Sequence, residues 1–434
     1  MKKKLLINIK LILKLSLIIL CGFVFVSCSG NKGKVQIDFW AFGAEAEHVK
    51  VLTKEFEKLN PGIKVKVQAI PWTAAHEKLI TAYASDTTPD IVQLGNTWIP
   101  EFVALNSLED LDTWIRNSKS IKEKNFFPGI WKTNIIDGKV YGIPWYVDTR
   151  VLFYRSDILK KAGYNSPPKT WDQLYDVSKK IKKMYGKQEK YAFFIPTNEW
   201  APFIIFGMQA GARLLKDNNS YGNFSNPKFA TAFKYLVKFY KEKLAPVDMT
   251  LVSNLYQAFA SGFFAMYITG PWNVTEFRNM LPASLQNSWM TAPLPAYDNN
   301  KYPGVSLAGG SSFVMFKASK HKKEAWKLIE FLSKKSSQVQ FFKMSSDLPS
   351  LIDAWQDTVL TNNKYLKAFY EQLQNVVPMP KVPEWEHIVS GKVQQYAEYA
   401  ARGIMSPEQA LKLLDKDTDL ILAKRRWILR REGK

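Results

Sequence analysis

Between residues 35 and 94 the apolar pattern switches repeatedly between two periods, and that alternation restricts the fold more than any other feature of the chain. Val35, Ile37 and Phe39 alternate with polar residues as a strand does. Val49, Leu52, Phe56 and Leu59 then recur at helical spacing up to the break at Asn60-Pro61-Gly62. Ile63, Val65 and Val67 give a second strand, Ala75, Leu79 and Ala82 a second helix, and DIVQL (90–94) a third strand. A βαβαβ run needs crossover helices, so it predicts a mostly parallel sheet covered by helices, an α/β fold. The pattern resumes with strands at VLFY (151–154), YAFFI (191–195) and FFAMYI (263–268). Helices are predicted to start at Thr170, with Gln173 completing a capping box, and at Asn226-Pro227 and Ser406-Pro407. No internal repeat or low-complexity linker interrupts the run.

The amino-terminal stretch is of a different kind. Lys2, Lys3 and Lys4 precede an apolar core from Leu15 to Val26, shorter than the roughly 20 residues that span a bilayer. The layout is that of a secretion signal over 1–27, with an uncleaved anchor helix as the alternative. Phe25, Val26 and Ser27 before Cys28 resemble the lipobox of bacterial lipoproteins, although leucine is usual where Phe25 stands. The only cysteines are Cys21, inside the apolar core, and Cys28, so neither a disulfide nor a cysteine-ligated metal is expected. Ser29 to Lys34 then read as a solvated tether, 28–34, and Cys28 as a lipid attachment point that holds a secreted body on a membrane surface.

About 400 residues remain, too many for one core, so two domains are expected. With 46% hydrophobic and 14% aromatic residues, the chain is that of a folded protein. Five of its 60 basic residues precede Cys28, which leaves 55 against 39 acidic residues, a surplus of +16. The lysines are mostly isolated on helix faces, as in KKIKKMYGKQEK (179–190), and no nucleic-acid module is present, so no nucleic-acid partner is expected. The absence of a linker between two α/β lobes implies that the chain crosses between them more than once. Ligands of open α/β sheets collect beyond the carboxyl ends of strands, which places a cleft there.

The loops at those strand ends share a residue type. WAFGAEAE (40–47), PWTAAHEK (71–78), GNTWIPEF (95–102), GIPWYVDTR (142–150), TNEWAPF (197–203) and TGPWNVTEF (269–277) each carry a tryptophan. Trp40, Trp72, Trp98, Trp145, Trp200 and Trp272 therefore stand out among fourteen, whereas Trp171 and Trp326 lie inside helical patterns and read as packing. An indole offers a flat apolar face for the C–H side of a pyranose, while neighbouring amides and carboxylates satisfy its hydroxyls. Glu45, Gln93, Asn96, Asp148, Arg150, Asn198, Glu199 and Asn273 are the polar groups at hand. For any single tryptophan, packing between lobes competes with ligand contact; the recurrence carries the sugar reading. Glu45 and Glu47 also suit a helix N-terminus, and Asp148 can pair with Arg150 or brace a lobe crossing.

Taken in order, FEKLNPGIKVKV (56–67), TPDIVQL (88–94), DGKVYGIPWYVDTRVLFYRSDILKKAG (137–163), PKTWDQL (168–174), FFAMYITGPW (263–272) and AGGSSFVMFKASKHKKEAWKLIEFL (308–332) resemble the successive blocks of the family 1 extracellular solute-binding proteins, the substrate-capturing lipoproteins of ABC sugar importers. The likeness runs from about residue 35 to about 420. It implies a two-lobed periplasmic-binding-protein fold with crossings near 146–150, 295–305 and 345–350, a hinge, and a ligand cleft. The lobes would comprise 35–147 with 303–345, and 148–302 with 346–434. Loops matching WAFG, LGNTW, PWYVD, GPWN and AGG would line the cleft, with Gly309 and Gly310 admitting close backbone approach and Trp385 of VPEWEHI adding an aromatic. The implied partners are a carbohydrate, a membrane permease and a separate ATPase, since no Walker A pattern occurs here. No cofactor or metal is expected. G-x-S-x-G and H-E-x-x-H are absent, and His48, His76, His321 and His387 are scattered. A non-sugar solute such as a glycerophosphodiester or peptide, or a secreted glycosidase, are the alternatives. The terminal AKRRWILRREGK (423–434) reads as a last helix with a frayed basic end, with a contact surface as the alternative.

Overall fold

The computed structural model describes residues 34–431, so the expected signal segment and Cys28 fall outside the described residues. The chain opens as β1 (Val35–Phe42), α1 (Glu45–Leu59), β2 (Ile63–Ile70), α2 (Trp72–Ala84), β3 (Ile91–Gly95) and α3 (Ile99–Ala104), the alternation legible in the sequence. Val49, Leu52 and Phe56 face the core from α1, but Leu59, in its last turn, is exposed. The chain reaches β4 (Ile143–Asp148), crosses, and continues as β5 (Val151–Arg155), α4 (Trp171–Tyr185) and β6 (Phe193–Phe194). Next come α5 (Pro227–Lys241), β7 (Met266–Thr269), α6 (Trp272–Met280) and β8 (Trp289–Ala292). After β8 the chain returns as β9 (Gly309–Met315) and β10 (Leu348–Pro349), and it ends in α7 (Pro407–Ile421) and α8 (Ala423–Arg431).

Two sheets result. The first has six strands in the order β10-β4-β9-β3-β1-β2; the second has four, ordered β8-β5-β7-β6. β1 is parallel to β2 and β3, as expected, but β9 is antiparallel to β3 and β4, and β10 antiparallel to β4. The direction has a topological cause. β1, β3 and β4 end at the cleft, whereas β9 begins there because the chain has just come back from the second lobe. The crossings consequently bundle: Gly309 lies opposite Asp148, and Leu348 opposite Val147. Leu348 and Pro349, grouped by sequence with the second lobe, pair within the first sheet.

Side-chain hydrogen bonds tie the crossing strands together. Thr149 Oγ1 donates to the Leu307 carbonyl (2.9 Å), Ser306 Oγ to the Arg150 carbonyl (3.1 Å), and Ser350 Oγ to the Pro144 carbonyl (2.7 Å). Caps start the helices where the sequence placed them. Thr170, Asn226 and Ser406 side chains accept the amides of Gln173, Phe229 and Gln409, and each such cap is worth about 1 kcal/mol. Gln173 Oε1 reaches back to the Lys169 amide (2.8 Å), one residue ahead of the usual box partner. The first lobe packs on a layer of Phe39, Trp145, Phe313 and Phe341, and the second on Trp171, Phe206 and Tyr235.

Candidate functional site

A cleft of about 450 Å³ opens between the lobes at the strand ends. From the first lobe, β1 and β2 each run directly into the N-terminus of a helix, which sets Glu45 at the start of α1 and Trp72 at the start of α2. β3 ends at Gly95, and the turn after it carries Asn96, Thr97 and Trp98. Trp72 is 37% exposed and meets Trp98 edge-on with ring centres 5.8 Å apart; both lean on Phe42. From the second lobe, Trp200 precedes the helix Ala201–Gln209 and Trp272 opens α6, leaving the Trp272 ring 44% exposed. Indole rings thus face the cavity from both lobes, a geometry in which lobe closure adds contacts to a flat ligand.

Carboxylates fill the space between the rings. Glu45 Oε1 accepts from the Tyr146 hydroxyl (3.1 Å), and that hydroxyl accepts from Gln93 Nε2 (2.9 Å) and Ser311 Oγ (3.0 Å). Asp148 pairs with Arg150 at 2.5 Å, and the guanidinium lies 4.6 Å from the centre of the Trp272 ring, holding that indole in place. Asp347 enters from the third crossing. Burial, reinforced by the charges of Glu45 and Asp148, raises its carboxyl to about 8. Burial likewise pushes the Tyr146 phenol well above its ordinary value, and Asp347 and Glu45 add to the effect. Glu386 accepts from Thr97 Oγ1 (3.1 Å) across the cleft and is raised chiefly by burial. His76 is raised by its 2.6 Å hydrogen bond to Glu101. Four carboxyl groups around one arginine that is already paired make the cleft acidic and rich in hydrogen-bond acceptors.

Thirteen of the positions named from the sequence are the ligand-contact candidates, namely the six loop tryptophans, Trp385, Glu45, Gln93, Asn96, Asp148, Gly309 and Gly310, and nine of them line this cavity: Glu45, Trp72, Asn96, Trp98, Asp148, Trp200, Trp272, Gly309 and Gly310. Asn96 Oδ1 accepts from Ser312 Oγ (2.9 Å), while its buried amide nitrogen has no hydrogen-bond partner. Gly310 has φ +112°, and a Cβ there would sit 2.3 Å from the Tyr146 carbonyl oxygen. The other four lie elsewhere. Trp145 is 1% exposed, its ring centre 4.8 Å from Phe313 and 4.5 Å from Phe341, because adjacent strand residues point to opposite faces and Tyr146 takes the cleft side. Trp385 is likewise in the second-lobe core, and its neighbour Glu386 reaches the cleft. Trp40 sits on the α2 side of β1 under Lys78, 5.1 Å from its ring centre. Gln93 is buried and acts through others, holding the Phe42 amide (2.7 Å) and Tyr146.

Tyr146, Asp347 and Glu386 are lining groups that the sequence reading omits. Tyr146 and Glu386 each adjoin a tryptophan that was singled out, and alternation along the strand would have offered the first. Asp347 carries no local signal beyond its place in the third crossing. Among the described residues no group of three or more His, Cys, Asp or Glu side chains is set to hold a metal ion, and no helix is long and apolar enough to cross a membrane.

The family model described as bacterial extracellular solute-binding protein matches residues 44–339. The chain belongs to that family. It resembles the sugar-binding protein MalE from Xanthomonas citri, at 45% identity and a TM-score of 0.88, over 91% of this chain and 99% of that one. Among curated relatives, the diacetylchitobiose binding protein DasA of Streptomyces coelicolor is 27% identical over 86% of each chain. The arabinooligosaccharide-binding protein of Bacillus subtilis is 26% identical over 85% of each. The two-lobed fold of this solute-binding protein and its relatives is the one expected from the ordered blocks, and the family and its neighbours are binding proteins.

Proposed function

We propose that this solute-binding protein is the extracytoplasmic receptor of an ABC importer and captures a neutral carbohydrate of one to several rings between its lobes for delivery to a membrane permease. The observation that carries the reading is the cleft itself, with Trp72 and Trp98 on one lobe, Trp200 and Trp272 on the other, acceptors at Glu45, Asp148 and Glu386 around them, and a protonated Asp347 among them. Indole faces take the C–H surfaces of a sugar, and carboxylates accept hydrogen bonds from its hydroxyls. The same carboxylates disfavour a phosphodiester or uronate, because Arg150, the cation in the lining, is already matched by Asp148. The ligands for which the relatives are named, diacetylchitobiose and arabinooligosaccharides, agree with this class. Binding on one lobe followed by closure of the other selects the form presented to the permease, with no bond made or broken. Lipid attachment at Cys28 would keep the receptor at the membrane.

The deciding experiment titrates tryptophan fluorescence of the purified protein against mono- and oligosaccharides while assaying each mixture for new reducing ends. Saturable change with intact sugar is expected, and Trp72→Ala should weaken binding at least tenfold, about 1.4 kcal/mol for a lost indole face. Released reducing ends would move the protein to the glycosidases; no response to any sugar would overturn the carbohydrate assignment. Mass analysis of the mature N-terminus tests the lipid, with a diacylglyceryl-modified Cys28 expected.

A further inference from the structure

The end of the second lobe carries a helical surface that ligand capture does not use. Leu420, Lys424, Trp427, Ile428 and Arg431 follow one another at helical spacing along the end of α7 and through α8. Leu420 is 66% and Trp427 57% exposed, Ile428 is also exposed, and α8 buries none of its residues. The opposite side is held in place. Leu422 is buried, and Arg426 donates to the carbonyls of Ser220 (2.8 Å) and Asp419 (2.7 Å) while stacking 4.5 Å from the Tyr221 ring centre. The helix therefore cannot roll its tryptophan inward. The acids of α7 are turned to other partners: Asp415 to the amides of Phe224 and Ser225, Asp417 to Lys392, and Asp419 to the amide of Gly222. Lys424, Arg430 and Arg431 thus present positive charge beside a tryptophan and an isoleucine.

We infer that this stripe docks the second lobe on an anionic lipid surface. Exposed Trp and Ile flanked by Lys and Arg on a rigidly held helix is the pattern of a segment that lies in a headgroup layer, where indole rings prefer the boundary and cations meet acidic lipid. Charge complementarity selects the partner, since the chain from Cys28 onward keeps a basic surplus of +16 and this stripe joins cationic to apolar groups. A soluble protein partner would need a matching acidic groove, and a nucleic acid would take the cations but gain little from Leu420 and Ile428.

The test is segment-resolved hydrogen exchange on the full chain mixed with vesicles of phosphatidylcholine alone or with a quarter phosphatidylglycerol. Because the readout is local, attachment through residues 1–34 does not interfere. Amides of 423–431 should exchange at least fivefold more slowly with the anionic vesicles and be unaffected by the neutral ones. Lys424→Gln, Arg430→Gln and Arg431→Gln together should remove the protection and weaken the helix-dependent association roughly a hundredfold, on about fivefold per basic residue. Trp427→Ser with Ile428→Ser should reduce it while leaving the titration with sugar unchanged. Equal exchange of 423–431 with both vesicle types would overturn the proposal, as would protection by a single-stranded oligonucleotide but not by vesicles.

Discussion

Replacing Asp347 by Asn should flatten the pH profile of thermal stability. In the folded protein this carboxyl sits in the cleft beside Glu45 and Asp148 and is raised from an ordinary 3.8 to about 8, first by burial and then by those charges. The sign is the reverse of the usual carboxylate. Between the two values the native state holds a proton that the unfolded chain has released, so stability falls as pH rises, by up to ~1.4 kcal/mol per unit. Below about pH 4 both states are protonated, and above about 8 neither is, so the loss is confined to that window. From pH 5.5 to 7.5 the ceiling is about 3 kcal/mol, and since water reaches the cleft, we expect about 1–2 kcal/mol, or roughly 1–2 °C in Tm for a chain of this length. Asn keeps the shape and removes the charge. Scanning fluorimetry of both proteins from pH 4 to 9 should show Tm values that coincide near pH 4 and diverge upward for Asp347→Asn to about pH 8. Parallel profiles across that range would refute the account of the cleft as an acidic cluster that suppresses ionisation of Asp347.

Three further outcomes are expected. Gly310→Ala, which combines φ +112° with a Cβ 2.3 Å from the Tyr146 carbonyl, should cost about 2–4 kcal/mol in urea denaturation, and a loss under about 0.5 kcal/mol would show that the strand end relaxes freely. Trp145→Phe and Trp385→Phe should leave sugar affinity within about twofold, since neither ring lines the cavity and neither indole nitrogen has a partner to lose. A tenfold loss would return those residues to the binding surface. Thr97→Val removes the hydroxyl that reaches Glu386 from the other lobe, and stopped-flow release should become about fivefold faster for ~1 kcal/mol; an unchanged rate would mean that the contact does not hold the lobes together.

Much of the site was legible because strand ends announce themselves. The βαβαβ run placed Glu45, Trp72 and Trp98 at the carboxyl edge of a sheet before any distance was known, since a parallel strand followed by a helix has nowhere else to put its loop. Trp145 belongs to the same class of position in sequence and Trp385 to a block that the family resemblance supplies, yet both side chains turn to the core while Tyr146 and Glu386 turn to the cavity. That choice depends on face, and within a loop-to-strand transition one residue of uncertainty in register reverses it. Gln93 illustrates a different gap: a polar residue in an apolar strand reads as a ligand group, whereas it is spent on the Phe42 amide and the Tyr146 hydroxyl.

Local periodicity, capping residues and the order of the blocks determined by themselves that the chain makes an α/β fold of two lobes and belongs among the solute-binding proteins, because each of those signals is carried by residues within a few turns or strands of one another. Only the tertiary structure decided that β9 runs against its neighbours, that the three crossings meet at Asp148, Gly309 and Leu348, and that Asp347 is brought among Glu45 and Asp148. Those are contacts between segments up to about 300 residues apart. Their chemistry arises from burial and from charges gathered by the return of the chain, neither of which has a local sequence signature.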